Sequence, residues 1–209
     1  MHSSFSLIKA VGFDLDRTLY PDTPKMNERV AQEIFKAILK FKPELETTEK
    51  VETIYKKRGE ELGSWSKVLQ ELGEKNCQQI INDCLDSADI TSLIKEDEKL
   101  VQILEQLRRK FFLFLITRSV QNQAVKKLIE IGIRPEIFNF SSFGDKNFQY
   151  FLSQSPYQPS EHVYIGDNIR TDIVAPKNLG MKTILVGKYF KEADFSVASI
   201  YEIECLLLP

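Results

Sequence analysis

Short apolar runs are the feature of this chain that most constrains its fold. Five of them, rich in β-branched and aromatic residues, lie at residues 8–14, 111–116, 137–141, 162–165 and 182–186. Runs this short and this apolar are typical of strands buried on both faces, as in a parallel sheet. Segments with helical periodicity lie between the later runs, at 120–131 and 169–179. The alternation predicts an α/β fold built on a doubly wound, Rossmann-like parallel sheet.

One long interval breaks this alternation. About 80 residues separate the first run from the helix that precedes the second run, and residues 26–94 show only helical periodicity. Four apolar helix faces can be traced there, whereas the crossover between two parallel strands usually holds one helix. We therefore predict an inserted, all-helical domain over residues 21–97, and a Rossmann-like core domain made of residues 1–20 and 98–209.

Composition excludes several classes of partner. The chain has 28 Lys and Arg against 30 Asp and Glu, and this balance argues against a nucleic-acid partner, which usually requires a basic excess. The longest apolar run, residues 111–116, is far shorter than the roughly 20 residues of a membrane span. There is no signal-peptide pattern, and the three cysteines lack C-x-x-C spacing. We expect a cytoplasmic protein with reduced thiols and no membrane partner. The oligomeric state stays open.

Acidic residues follow two of the predicted strands. Asp14 and Asp16 end the first run, where the alternation of strand side chains places both on one face. Asp167 follows Gly166 after the fourth run, and Asp172 opens the next helix. Ligands bind at the carboxyl ends of strands in open α/β sheets, and carboxylates gathered there suit a hard cation such as Mg²⁺. The alternatives are two solvated aspartates in a turn and, for Asp172, a helix N-cap.

Two other strand ends carry residues suited to an anion. Thr117, Arg118 and Ser119 follow the second run, directly before a helix, and a hydroxyl with free backbone amides at such a place favours phosphate. Alternatively, Thr117 or Ser119 only caps the helix. Lys146 follows the third run. Beside a carboxylate and a phosphate it would neutralise charge, but a single lysine there can equally be a solvated surface charge.

Taken in order, these motifs resemble the haloacid dehalogenase-like (HAD) hydrolase superfamily. The order is D-L-D-x-T-L, a strand ending in Thr, a Lys, and G-D-x-x-x-x-D, and the similarity spans the chain outside the insert. The insert stands where the family's C1 phosphatases carry a helical cap. The opening D-L-D-R-T-L-Y-P is also similar to the pyrimidine 5′-nucleotidase-like branch, over a few residues only.

This chain departs from the family pattern at two arginines and at the residue after the lysine. Arg17 stands where Gly or Asn is common, and Arg118 where a small or amide residue is common. Asn147 follows Lys146 in place of the frequent proline. Either arginine could bind a substrate phosphate or another anionic group. Either could equally be a surface residue or a partner in an internal ion pair.

The resemblance implies a role for each matching residue. Asp14 would attack phosphorus and form an aspartyl-phosphate. Asp16 would protonate the leaving oxygen and then deprotonate the attacking water. Thr117 would hydrogen-bond a phosphoryl oxygen, and Lys146 would neutralise the nucleophile and the phosphate.

The resemblance also implies Mg²⁺ as the cofactor. The ion would be held by the Asp14 carboxylate, the backbone carbonyl of Asp16 and Asp167, and Asp172 would orient that shell or its waters. The expected function is hydrolysis of a small phosphorylated metabolite, such as a nucleoside monophosphate or a sugar phosphate. The alternatives are another reaction of the family, phosphomutase or dehalogenase, and a non-catalytic HAD-like binding protein. Asp16 favours a phosphatase over a dehalogenase, because halide leaves without a proton.

Overall fold

The computed structural model describes residues 5–62 and 64–208, with the side chain of Gln78 left out. The chain divides into two compact units, Met1–Pro21 with Ile94–Pro209, and Asp22–Leu93. The α-helices of the described residues, numbered in chain order, are α1 (Pro24–Phe41), α2 (Thr48–Leu62), α3 (Trp65–Glu71), α4 (Cys77–Ser87), α5 (Glu98–Arg108), α6 (Gln121–Ile131), α7 (Phe148–Gln154), α8 (Ala175–Lys177) and α9 (Ile203–Leu207).

The discontinuous unit is built on a parallel sheet. Within the described residues its strands are β1 (Ala10–Phe13), β2 (Phe112–Ile116), β3 (Phe140–Ser142), β4 (His162–Gly166), β5 (Lys182–Val186) and β6 (Phe195–Val197). They pair in the order β3-β2-β1-β4-β5-β6, and every pairing is parallel. The predicted doubly wound α/β sheet is therefore confirmed. The sequence runs did not predict β6, because three residues with a central serine do not form an apolar run.

The central strands are buried on both faces, which explains their continuous apolar sequences. Every residue of β1 and β4 is buried. On one face, Phe114 stacks on Phe151 of α7 with ring centroids 4.0 Å apart, and Tyr164 lies beside Phe114 at 6.1 Å. Gly12 makes room for this layer, since a Cβ there would stand 2.1 Å from the Phe114 ring. The core thus requires glycine in the middle of β1.

The strand register brings three chain segments to one edge of the sheet. Phe13 lies beside Leu115 of β2 and Ile165 of β4. The amide of Asp14 continues this pattern by donating to the Ile165 carbonyl at 2.9 Å. The strand order reverses here, with β1 between β2 and β4, and ligands of open α/β sheets bind at such a point. The residues that follow these three strands are therefore the first place to look for a site.

The helix predicted over residues 169–179 is not a single α-helix. Ile169–Val174 form a π-helix, which then passes into α8. Pro176 has no amide hydrogen to donate to the carbonyl four residues earlier, so a regular α-helix cannot run unbroken through this position.

The second unit consists of helices α1 to α4 in its described part. Their inner faces share one apolar core, made of Ile34, Phe35, Ile38, Val51, Val68, Leu69, Cys77 and Cys84. Thr23 caps α1 by accepting from the Met26 amide, and Pro24 occupies the first turn. Trp65 packs edge-on against Phe35, with ring centroids 5.5 Å apart, so the only tryptophan belongs to this core.

His162, at the start of β4, should make stability depend on pH. It is fully buried; its Nδ1 donates to the Gln158 carbonyl at 2.8 Å, and its Nε2 accepts from Ser155 Oγ at 2.7 Å. Burial lowers the pKa of His162 below its ordinary value of 6.5. As pH falls below about 6.5, the unfolded chain takes up a proton here before the folded chain does, so the free energy of unfolding falls.

Urea unfolding at a series of pH values measures this contribution. We expect His162→Gln to lose less stability than the parent chain as pH falls from about 6.5 toward the lower folded pKa. An identical pH slope in both proteins would contradict the assignment.

Candidate active site

Lys146 joins two buried carboxylates at the edge where β1 and β4 end. Its Nζ lies 2.9 Å from Asp14 Oδ1 and 2.5 Å from Asp172 Oδ1. The side chain of Lys146 is only 8% exposed, which excludes the alternative of a solvated surface lysine. The next residue, Asn147, caps α7 by accepting from the Tyr150 amide at 2.9 Å, so Lys146 lies directly before the start of this helix. Lys146 thus contacts Asp14, the carboxylate predicted to be the nucleophile.

Three carboxylates gather around this lysine. Asp14, Asp167 and Asp172 can each offer one oxygen such that all three oxygens lie within 4.8 Å of one another. Asp167 Oδ1 is buried and has no hydrogen-bond partner among the described residues. An all-oxygen donor set with an unpartnered, buried carboxylate oxygen fits a hard divalent cation such as Mg²⁺.

Two carboxyl groups of this cluster, Asp14 and Asp167, have raised pKa values. Burial raises the pKa of Asp14 to about 7; Lys146 opposes the rise and Asp172 adds to it. Burial also raises the pKa of Asp167, against the effect of the Arg17 guanidinium. Two carboxyl groups that resist ionisation at one place are the electrostatic signature of a site that needs a further cation.

Asp172 is fixed from three sides. It accepts from the Asn168 amide at 3.0 Å and from Thr171 Oγ1 at 2.8 Å, in addition to Lys146. Gly166 permits this position, since a Cβ there would stand 2.4 Å from Asp172 Oδ2. The alternative that Asp172 caps the helix is wrong, because Asn168 caps it by accepting from the amides of residues 170 and 171.

Asp16 has a separate set of partners. Its carboxylate accepts from Lys127 Nζ at 2.6 Å, from Ser119 Oγ at 2.6 Å and from the Tyr20 hydroxyl. Burial raises the pKa of Asp16, but these three donors outweigh it and hold the pKa below its ordinary value. β1 ends at Phe13, so both aspartates lie beyond the regular strand and strand alternation does not determine which way their side chains point.

Sequence reasoning missed Lys127. It lies on α6, is 7% exposed, and reaches Asp16 across 111 positions of sequence. The signal was its spacing: residues 120, 124, 127 and 131 fall on one helix face, and the other three are apolar. A lysine on an inward face requires a buried partner of opposite charge.

The remaining predicted residues lie around these two groups. Thr117 is fully buried, and its Oγ1 accepts from the Ser119 amide at 3.2 Å. The alternative that Thr117 or Ser119 caps α6 is wrong, because Val120 occupies the N-cap position and no side chain bonds there. Arg118 is exposed. Arg17 forms the internal ion pair that was one of its alternatives, with Nε 3.2 Å from Asp167 Oδ2.

Arg17 also has a backbone conformation unusual for its type. Its φ is +60°, in the left-handed region that favours glycine. A side chain there costs of order 1 kcal/mol.

Fold and site together define a hydrolase of the HAD type. The model of the haloacid dehalogenase-like hydrolase family matches residues 11–186, and the chain belongs to this family. It is 26% identical to a glyceraldehyde 3-phosphate phosphatase of Methanocaldococcus jannaschii, over 94% of this chain and 96% of that protein. It is 28% identical to a protein of the same name from Methanopyrus kandleri, over 88% of this chain and 86% of that protein.

Solved structures agree on the fold. The structure of a HAD phosphatase from Thermococcus onnurineus superposes with a TM-score of 0.59 at 20% identity, covering 96% of this chain and 98% of that one. The predicted family is therefore confirmed, and the names of both sequence relatives agree with the prediction of a phosphatase. In the described part of the chain we find no helix with the length and apolar character needed to cross a membrane.

Binding of Mg²⁺ should stabilise the protein. At about one hundred times the dissociation constant, a ligand specific for the folded state adds about 2.7 kcal/mol to the free energy of unfolding. Asp14 without a bound cation holds its proton up to a pH of about 7. The gain should therefore be larger above this pH than below it. Urea unfolding with Mg²⁺ or with EDTA measures the effect.

Asp167→Asn should lose most of this gain, because it removes a charged donor from the cluster. Glu130→Gln, which changes an exposed carboxylate on α6, should keep it. Equal stability of the unsubstituted protein in Mg²⁺ and in EDTA would contradict the metal site.

Proposed function

We propose that the chain is a Mg²⁺-dependent phosphohydrolase that cleaves a small phosphorylated metabolite through an aspartyl-phosphate at Asp14. The observation that carries the proposal is the position of Lys146 between Asp14 and Asp172, beside a cluster of three carboxylates. A lysine and a cation on one carboxylate reduce its repulsion from an anionic phosphate. Phosphoryl transfer depends chiefly on such positioning and charge neutralisation.

The contacts described above support a role for each residue in the first step. One oxygen of Asp14 would bond to phosphorus while the ester oxygen leaves and takes a proton from Asp16. Thr117, with its hydroxyl hydrogen free of the bond that its oxygen accepts, would donate to a phosphoryl oxygen. Lys146 would hold Asp14 in place by the contact it already makes.

In the second step Asp16 would take a proton from water as the water oxygen bonds to phosphorus and the Asp14–phosphorus bond breaks. Mg²⁺ would be held by Asp14, Asp167 and the backbone carbonyl of Asp16, and would neutralise charge on the phosphoryl group. Asp172 already accepts three hydrogen bonds, which suits it to orient bound waters.

The helical unit is proposed as a cap domain that carries substrate specificity. The support is its point of insertion, a few residues after Asp16 in the chain. The substrate class follows from the relatives: two glyceraldehyde 3-phosphate phosphatases make triose phosphates and other sugar phosphates the first compounds to test.

Phosphate release from a panel of phosphate monoesters, with Mg²⁺ or EDTA, tests the function. We expect turnover only with Mg²⁺. Asp14→Asn should reduce it to near the uncatalysed rate, because the nucleophile is lost. Asp16→Asn should reduce it roughly 10²- to 10⁴-fold, the usual contribution of a general acid or base.

Glu130→Gln serves as the control and should keep the parent rate. Absence of Mg²⁺-dependent turnover on every ester would overturn the function. If Asp14→Asn keeps most of the activity, the aspartyl-phosphate mechanism fails.

A further inference from the structure

The carboxylate of Asp16 is held by donors from three separate places in the chain. Oδ1 accepts from Lys127 Nζ at 2.6 Å and also from the Tyr20 hydroxyl. Oδ2 accepts from Ser119 Oγ at 2.6 Å, and Lys127 Nζ also donates to that Ser119 oxygen at 2.9 Å. Lysine, serine and aspartate therefore form a closed triangle of hydrogen bonds.

The two carboxylate oxygens of Asp16 differ in the number of hydrogen bonds that they accept. Each oxygen of an ionised carboxylate can accept about two hydrogen bonds. Among the described residues, Lys127 and Tyr20 fill both positions of Oδ1, whereas Ser119 fills only one of the two positions of Oδ2. Oδ2 is thus the oxygen that can still bind a proton without losing a protein partner.

Lys127 is buried, so its charge requires an explanation. Its side chain is only 9% exposed, and taking an ammonium group out of water costs several kcal/mol unless its partners are well placed. A Leu or Met would pack on this helix face without that cost. The lysine is therefore explained by what it does to Asp16, not by packing.

We propose that Lys127 is a positioning residue for proton transfer: by holding Oδ1 and Ser119, it presents Oδ2 of Asp16 to the leaving oxygen of the substrate. This inference rests on the proposed phosphohydrolase function. The proton on Oδ2 moves to the ester oxygen as the bond from that oxygen to phosphorus breaks. A proton from the attacking water later returns to Oδ2 as the Asp14–phosphorus bond breaks.

A residue that places the general acid affects poor leaving groups most. An alkoxide needs a proton as it leaves, whereas p-nitrophenolate leaves readily without one. The value of kcat/KM reports the steps up to release of the alcohol, so it isolates the step in which Asp16 gives its proton. A lysine that only stabilised the fold would affect both kinds of ester alike.

The test compares Lys127→Met with the parent chain on glycerol phosphate and on p-nitrophenyl phosphate. Methionine keeps the apolar stem and removes the ammonium group. We expect kcat/KM for the alkyl ester to fall at least roughly tenfold more than kcat/KM for the aryl ester, since a general acid contributes roughly 10²- to 10⁴-fold. Lys126→Met, which changes the exposed neighbouring lysine on α6, should leave the ratio unchanged.

Equal losses on the two esters, or no loss, would overturn the positioning role while leaving the proposed function intact. Absence of Mg²⁺-dependent turnover of both esters by the parent chain would overturn the proposed function itself, and this inference with it. Circular dichroism and thermal melting check that Lys127→Met folds. If it does not fold, Ser119→Ala, which removes the donor to Oδ2, should show the same selective loss on the alkyl ester. Equal losses in that variant would overturn the role.

Discussion

The structure of the site depends on one ion-pair arrangement, in which the ammonium group of Lys146 lies between the buried carboxylates of Asp14 and Asp172. Burial raises the pKa of Asp14 to about 7; Lys146 opposes this rise without cancelling it, and Asp172 adds to it. The unpartnered oxygen of Asp167 marks where further positive charge would be accepted. In the proposed function, Lys146 and a divalent cation together would neutralise these carboxylates and the phosphate of the substrate.

The fold produces this arrangement through the order of its strands and through two glycines that allow neighbouring side chains to approach the backbone closely. Because β1 lies between β2 and β4, the residues after these strands meet at the switch point of the sheet. Gly12 lets the aromatic layer lie against β1, and Gly166 lets Asp172 approach the end of β4. The donors Lys127, Ser119 and Tyr20 lower the pKa of Asp16, so two aspartates two positions apart acquire opposite pKa shifts. These shifts distinguish the two carboxyl groups, and a cation bound at Asp14 would favour the ionised form that a nucleophile requires.

The sequence predicted the sheet because strands buried on both faces have continuous apolar runs, a signal that survives without any tertiary information. It missed β6, whose three residues have no such run, and the π-helix Ile169–Val174, which no periodic pattern distinguishes from an α-helix. The order of Asp14, Thr117, Lys146 and Asp167 was readable because each follows a strand. Lys127 was missed although its spacing places it on the inward face of α6, because its partner Asp16 lies 111 positions away in the sequence. The ion pair of Arg17 was one of several open alternatives for the same reason.

The central claim is that the Asp14 carboxylate bonds to phosphorus and that water then attacks phosphorus. The most direct measurement is turnover of a phosphate ester in ¹⁸O-labelled water, followed by mass spectrometry of the released phosphate and of the peptide that contains Asp14. We expect the heavy oxygen in the phosphate, an unlabelled Asp14, and a phosphorylated Asp14 in rapidly acid-quenched samples. Heavy oxygen in the Asp14 carboxylate, or phosphate release without any phosphorylated Asp14 in those samples, would contradict it.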